Sequence, residues 1–195
     1  MSVIKKKYYG VGFNSGGKHK VREHGRDTRA YYAWRAMLQR CYSTKYQKSK
    51  PTYMGCTVNE CWHDFQEFAG WYYGNRYANS GFEIDKDLIS KGNKEYSPDN
   101  CCLVPREINS MLGNKSAGSN GGYAGVSQRK GSGIYYTQIS ISGKKKHLGH
   151  FKTPEEAFAV YKKAKEANVK RMADLWFGNI EPRVYEALMD WELES

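Results

Sequence analysis

An acidic residue closing an apolar strand is the part of this chain best suited to chemistry. The segment reads Glu83-Ile84-Asp85-Lys86-Asp87, with a glycine-containing turn at Gly92-Asn93. It continues as Tyr96-Ser97-Pro98-Asp99-Asn100-Cys101-Cys102-Leu103-Val104-Pro105-Arg106-Glu107-Ile108-Asn109. The pattern predicts a hairpin running into a helix, with oxygen ligands contributed from both ends. Hard divalent cations such as Mg²⁺ take such ligands and keep several waters. An ion held this way can clamp a phosphate and stabilise a leaving oxygen, so the segment points to phosphodiester chemistry. The plainer alternative is a turn: Asp-Lys-Asp beside a hairpin, and Asn ahead of an apolar pair, are ordinary surface and turn residues.

These residues resemble the ββα-metal motif of HNH nucleases, in particular the phage homing-endonuclease branch. Asp85 matches the acidic metal ligand, Asn100 the Asn that braces the loop, and Asn109 the helical Asn that completes the metal site. The resemblance implies Mg²⁺ or Mn²⁺ at Asp85 and Asn109, with catalytic positions at Asp85, Lys86, Asn100 and Asn109. It spans roughly Tyr31 to Leu112 when Trp34, Cys41, Cys61-Trp62 and Phe65 are included. One position departs from the family: the general-base His that follows the acid is here Lys86. A lysine beside Asp85, Asp87 and a phosphate stays protonated near neutral pH. It can grip a phosphate but is a poor base, and His63 or His24 could replace it only if the fold brings them close.

Charge is segregated. The formal net charge of +11 is matched by the first 50 residues alone, and residues 121–150 add +5, while 51–120 and 151–195 carry −3 and −2. Separated basic blocks, each rich in Tyr, are the electrostatic footprint of a nucleic-acid binder, here double-stranded DNA. Five cysteines, no signal peptide and no long apolar run fit reduced thiols and a cytoplasmic protein, the host cytoplasm for a phage product, with no membrane partner. Cys56, Cys61 and His63 form a possible zinc half-site, but the usual second half is missing; buried apolar cysteines are the default.

Local signals place the elements. The glycine-rich stretch before Thr28 reads as an extended basic arm, with a short strand possible near Lys7 to Phe13. Thr28 can cap a helix from Arg29 to Tyr42, with Tyr31, Trp34, Leu38 and Cys41 on one face and Arg35, Gln39 and Arg40 on the other, where they could meet phosphates. Asn59 can cap a second helix from Glu60 to Tyr73. Gly113 to Gly122 is rich in Gly, Ser and Asn and reads as a flexible linker. Three strands follow: Tyr123 to Gln128, Ile134 to Ser142, and His147 to Phe151. Thr153 and Glu156 then form a capping box for a helix. Trp176, Phe177, Tyr185, Leu188 and Trp191 mark a helical C-terminal segment that seals the domains together or supports a homodimer.

The segment from Tyr123 to Asn168 resembles the AP2 DNA-binding domain. The matching residues are Gly125-Val126-Ser127-Gln128-Arg129, Ile139, Leu148-Gly149-His150-Phe151, Thr153-Pro154-Glu155-Glu156-Ala157 and Ala159 to Tyr161. The resemblance implies a sheet lying in the DNA major groove with the helix packed behind it. Outward positions are then Ser127, Arg129, Tyr136, Gln138, Ser140, Lys145 and His147. Plant members carry Arg and Trp where this chain has Ser127, Ser140 and His147, so its sequence preference should differ or be looser.

The expected fold class is α+β: a ββα-metal (HNH-like) domain, a three-stranded sheet plus helix module, and a C-terminal helix. The expected divisions are a basic arm (1–29), an HNH-like domain (30–113), a linker (114–122), an AP2-like module (123–168) and a helical segment (169–195). The expected function is metal-dependent DNA nicking or cleavage, with site recognition by the sheet. The alternative is a DNA-binding or host-enzyme-blocking protein that has lost catalysis, favoured by Lys86.

Overall fold

The computed structural model describes residues 7–78, 81–113 and 122–194. The chain is a mixture of helices and small sheets and divides into two compact units, Met1–Arg106 and Glu107–Ser195. Residues 1–6 and 114–121, which include most of the expected linker, lie outside the described residues.

The first unit opens with a two-residue hairpin, β1 (Arg22–Glu23) and β2 (Arg26–Asp27), which leads into α1 (Arg29–Tyr42). The Thr28 side chain accepts the Tyr31 N–H, an N-cap as predicted. Ser43 then caps a short α2 (Thr44–Ser49). After a 3-10 turn at Pro51–Tyr53, β3 (Thr57–Val58) is followed by a second 3-10 turn at Glu60–His63.

The helix expected from Glu60 to Tyr73 is therefore broken. Asn59 caps only the 3-10 turn, and α3 (Phe65–Gly74) starts afresh with Asp64 as its cap. Asp64 Oδ1 accepts from both Gln66 N at 3.1 Å and Ser15 N at 3.0 Å. A short acidic side chain competing for backbone donors ends one helical run and starts the next.

Helices α1 and α3 pack through Trp34, Leu38, Phe65 and Phe68, all fully buried. The Trp34 indole N–H would be orphaned there, but it donates to the Trp62 carbonyl at 2.7 Å. The glycine-rich arm is docked on this core rather than extended. Tyr8 and Gly12 close a tight turn, and Phe13 bridges to the chain at Asp64 in place of the expected strand. A Cβ on Gly12 would stand 2.3 Å from Leu38 Cδ1, so only glycine lets the backbone lie this close to α1. Further along, Gln66 bonds the backbone of His19 at both N and O.

The rest of the first unit is the hairpin region. β4 (Phe82–Asp85) precedes β5 (Glu95–Tyr96), and β6 (Cys102–Pro105) pairs antiparallel with β4, placing Asp85 opposite Cys102. β5 pairs parallel with β3. Helix α4 (Arg106–Leu112) follows β6 without a break, so the chain order is β4, β5, β6, α4, with β4 and β6 the paired strands.

The second unit contains a three-stranded antiparallel sheet, β7 (Val126–Gln128), β8 (Tyr135–Ile141) and β9 (Lys144–Phe151), in that order. The third strand starts three residues earlier than expected, because Ser142 and Gly143 form a tight hairpin. Helix α5 (Pro154–Leu175) has both halves of the Thr153–Glu156 capping box and packs on the sheet. It is a single helix that runs past Asn168. Pro182 begins α6 (Pro182–Met189), as predicted. Val126, Ala157, Phe158 and Leu193 form a core with Tyr161 and Trp191 against it. The C-terminal residues thus complete this unit's own core, while Leu175 and Phe177 stay exposed.

Candidate metal and nucleic-acid sites

Asp85 ends β4 half-buried, with its side chain turned onto the loop that follows. Its Oδ1 accepts the backbone N–H groups of Asp87 at 2.8 Å and Leu88 at 2.7 Å. This is a turn-closing carboxylate. Burial pushes its carboxyl above the ordinary range. The two N–H groups oppose the shift, the Asp87 charge adds to it, and the Lys86 charge opposes it. A half-buried carboxylate whose charge is incompletely compensated is a ligand of the type Mg²⁺ takes, with water completing the shell. Among the described residues there is no group of three or more His, Cys, Asp and Glu side chains that could hold a metal ion.

Lys86 lies inside the loop. The residue is 5 % exposed. Its ammonium donates to Asp87 Oδ1 and, at 2.7 Å, to the Asn93 carbonyl, and it sits over the Tyr96 ring. As placed, it braces the loop and does not face a ligand.

Asn93 and Asn100 extend the brace. Asn93 Nδ2 donates to the Lys86 and Glu95 carbonyls at 3.2 and 2.6 Å. Asn100 Nδ2 reaches Asn93 Oδ1 at 3.5 Å, and Asn100 Oδ1 accepts from Ser90 Oγ at 3.4 Å. Asn100 thus lies at the edge of the loop's hydrogen-bond network. The structure adds Asn93, which sequence reading treated as a turn residue only; its pairing with Lys86 across seven positions leaves no local signal. Asn109 lies on α4, in the second unit.

No contact joins His24 or His63 to Asp85 among the described residues. His24 sits at the β1–β2 turn with a positive φ of 50°. His63 packs edge-on against Tyr42. Cys56 is buried and Cys61 exposed, and all five cysteines are free thiols. Burial pushes the Cys41 and Cys101 thiols up to about 12, which makes them inert packing groups.

The two arginines proposed for α1 differ. Arg35 is exposed and pairs with Asp27 at 3.2 Å. Arg40 is folded against the Tyr53 ring and beside Tyr96, which makes it a packing residue of the hairpin region.

The β7–β9 sheet presents a continuous polar face. Ser127 pairs with Tyr136, Tyr136 with His150, Gln138 with His147, and Ser140 with Lys145. Partners across a sheet share a face, so these residues stand together opposite Val126, Thr137 and Ile139, which are buried beneath. Arg129 lies just beyond β7, in an exposed turn closed by its N–H to the Ile134 carbonyl at 2.8 Å. None of the three strands contains an acidic residue.

His150 is the residue that alternation hides. Three positions from His147, it should face the other side. A register shift between Thr137 and Gln138 leaves Leu148 as an extra residue on β9. That bulge returns His150 to the outer face, with Nδ1 3.4 Å from His147 Nε2.

Comparison of the chain with protein-family models, with curated proteins and with solved structures finds no match. No helix among the described residues is long and apolar enough to cross a membrane.

Proposed function

We propose that the protein binds double-stranded DNA through the outer face of the β7–β9 sheet, and that its hairpin and following helix are an HNH-type element in which Asp85 takes a divalent cation. The observation that carries the reading is the sheet face itself. It displays Tyr136, Gln138, Ser140, Lys145 and His147 on one side, free of acids, with α5 behind. Three strands at the usual spacing span roughly 10 Å, a width the major groove admits. Gln138 is suited to pair with adenine and Arg129 with guanine, while Lys145 suits phosphate.

For cutting, Mg²⁺ or Mn²⁺ would supply charge neutralisation at the leaving oxygen. The chain's own part is to hold the carboxylate of Asp85 at the strand end and to fix the loop through Lys86, Asn93 and Asn100. The resemblance adds Asn109 as the helical position to test.

A second reading has a specific observation in its favour. Lys86 stands where the resemblance puts the general base and is enclosed by its own loop, and among the described residues neither His24 nor His63 contacts Asp85 to take its place. On that reading the protein binds DNA, or blocks a host enzyme, without cutting. A supercoiled-plasmid assay with Mg²⁺ or Mn²⁺, run beside a mobility-shift assay, separates the two. Nicking supports the nuclease, a shift without nicking supports the binding protein, and the absence of both refutes DNA binding on either reading.

A further inference from the structure

We infer that His147 and His150 form a two-ligand site for a borderline divalent transition-metal ion such as Ni²⁺ or Zn²⁺, on the outer face of the sheet. The inference is independent of the Asp85 site and of DNA binding. It rests on the bulge at Leu148, which brings two imidazoles three residues apart onto one face. Their facing nitrogens, His147 Nε2 and His150 Nδ1, are 3.4 Å apart.

In a tetrahedral centre with metal–nitrogen bonds of about 2.0–2.1 Å, as Zn²⁺ takes, two ligand nitrogens stand about 3.3–3.4 Å apart, and the roughly 90° neighbours of a Ni²⁺ site stand about 3.0 Å apart. The pair stands at the tetrahedral spacing and within about half an ångström of the Ni²⁺ one, and rotation of the two exposed rings turns their lone pairs toward a shared ion. Both residues are exposed, so water can fill the remaining positions. Imidazole is the nitrogen ligand these metals favour. A bound ion takes the lone pair of each facing nitrogen, with the remaining proton of each ring on its other nitrogen.

The neighbours sharpen the expectation. Lys145 shares the outer face, Lys144 and Lys146 belong to the same strand, and Tyr136 lies beside His150. These ammonium charges repel a cation, so added salt should strengthen metal binding by screening them. DNA binding should respond to salt in the opposite sense.

The test is Ni²⁺ titration of the full chain carrying Cys61→Ser, which removes the exposed thiol as a competing ligand. Calorimetry gives the affinity, and paramagnetic broadening of histidine ring protons gives the location. The expected result is selective broadening of His147 and His150, with His147→Ala and His150→Ala each weakening binding by at least about tenfold. His24→Ala, at an exposed histidine elsewhere, should leave the affinity unchanged. The proposal is overturned if the chain takes up no Ni²⁺, if broadening falls first on other histidines, or if either sheet variant binds as tightly as its parent.

Discussion

Lys86 and Asn93 hold each other twice: the Lys86 ammonium donates to the Asn93 carbonyl at 2.7 Å, and Asn93 Nδ2 donates to the Lys86 carbonyl at 3.2 Å. The position that the HNH resemblance assigns to a base is thus a structural tie across the hairpin loop. Lys86→Met keeps most of the volume but leaves the Asn93 carbonyl without its donor. It should destabilise the first unit by roughly 1–3 kcal/mol, read by urea unfolding followed through the tryptophans. An unchanged midpoint would show that the tie contributes nothing.

The raised carboxyl of Asp85 carries a pH signature. Its ordinary value is 3.8 and burial lifts it in the folded state. Between the unfolded and folded values the native protein binds the extra proton, so stability falls as pH rises through that window. Asp85→Asn preserves an acceptor for the Asp87 and Leu88 N–H groups and should flatten that part of the profile. Because a cation competes with the proton, Mg²⁺ should raise the melting temperature of the wild type above the window and leave Asp85→Asn unmoved. A metal response retained in Asp85→Asn would place the ion elsewhere.

Asp85→Ala and Asn109→Ala should each abolish any plasmid cleavage, with DNA affinity kept, since the proposed binding face lies on β7–β9. Cleavage persisting in Asp85→Ala would remove the metal role given to this residue.

Gly125 tests the packing behind the sheet. It has a φ of +74°, and a Cβ there would meet the Tyr161 ring at 2.4 Å. Gly125→Ala should cost about 3 kcal/mol from backbone strain and overpacking together, measured by thermal unfolding. A fragment of residues 107–195 should fold alone, whereas 122–195 should be less stable. The shorter piece lacks Glu107, which accepts from Trp176 Nε1 at 2.5 Å, and Met111, whose carbonyl accepts from Lys165.

Features written in local sequence were legible in advance. The Thr28 cap, the Thr153–Glu156 capping box, Pro182 at a helix start and the three-strand run all follow from neighbours within a few residues. What was not legible depends on distant partners. Asp64 breaks a helical pattern because Ser15, 49 positions away, shares its carboxylate. The basic arm lies flat because Gly12 fits against Leu38 and Trp34. His150 faces outward because one residue of β9 drops out of register, and a period of two cannot announce its own interruption. Lys86 reads as an exposed charge in sequence, and only the loop closing over it shows otherwise.

The most direct test of DNA binding by the sheet is the salt dependence of duplex affinity for the wild type beside Lys145→Ala and Gln138→Ala. The wild type should lose affinity with rising salt at a log–log slope of about −0.9 for each phosphate contacted. Lys145→Ala should make that slope shallower by about one contact and weaken all sequences alike, while Gln138→Ala should keep the slope and relax sequence preference by roughly 1–3 kcal/mol. Affinity that is flat with salt, or identical in the wild type and both variants, would contradict the account.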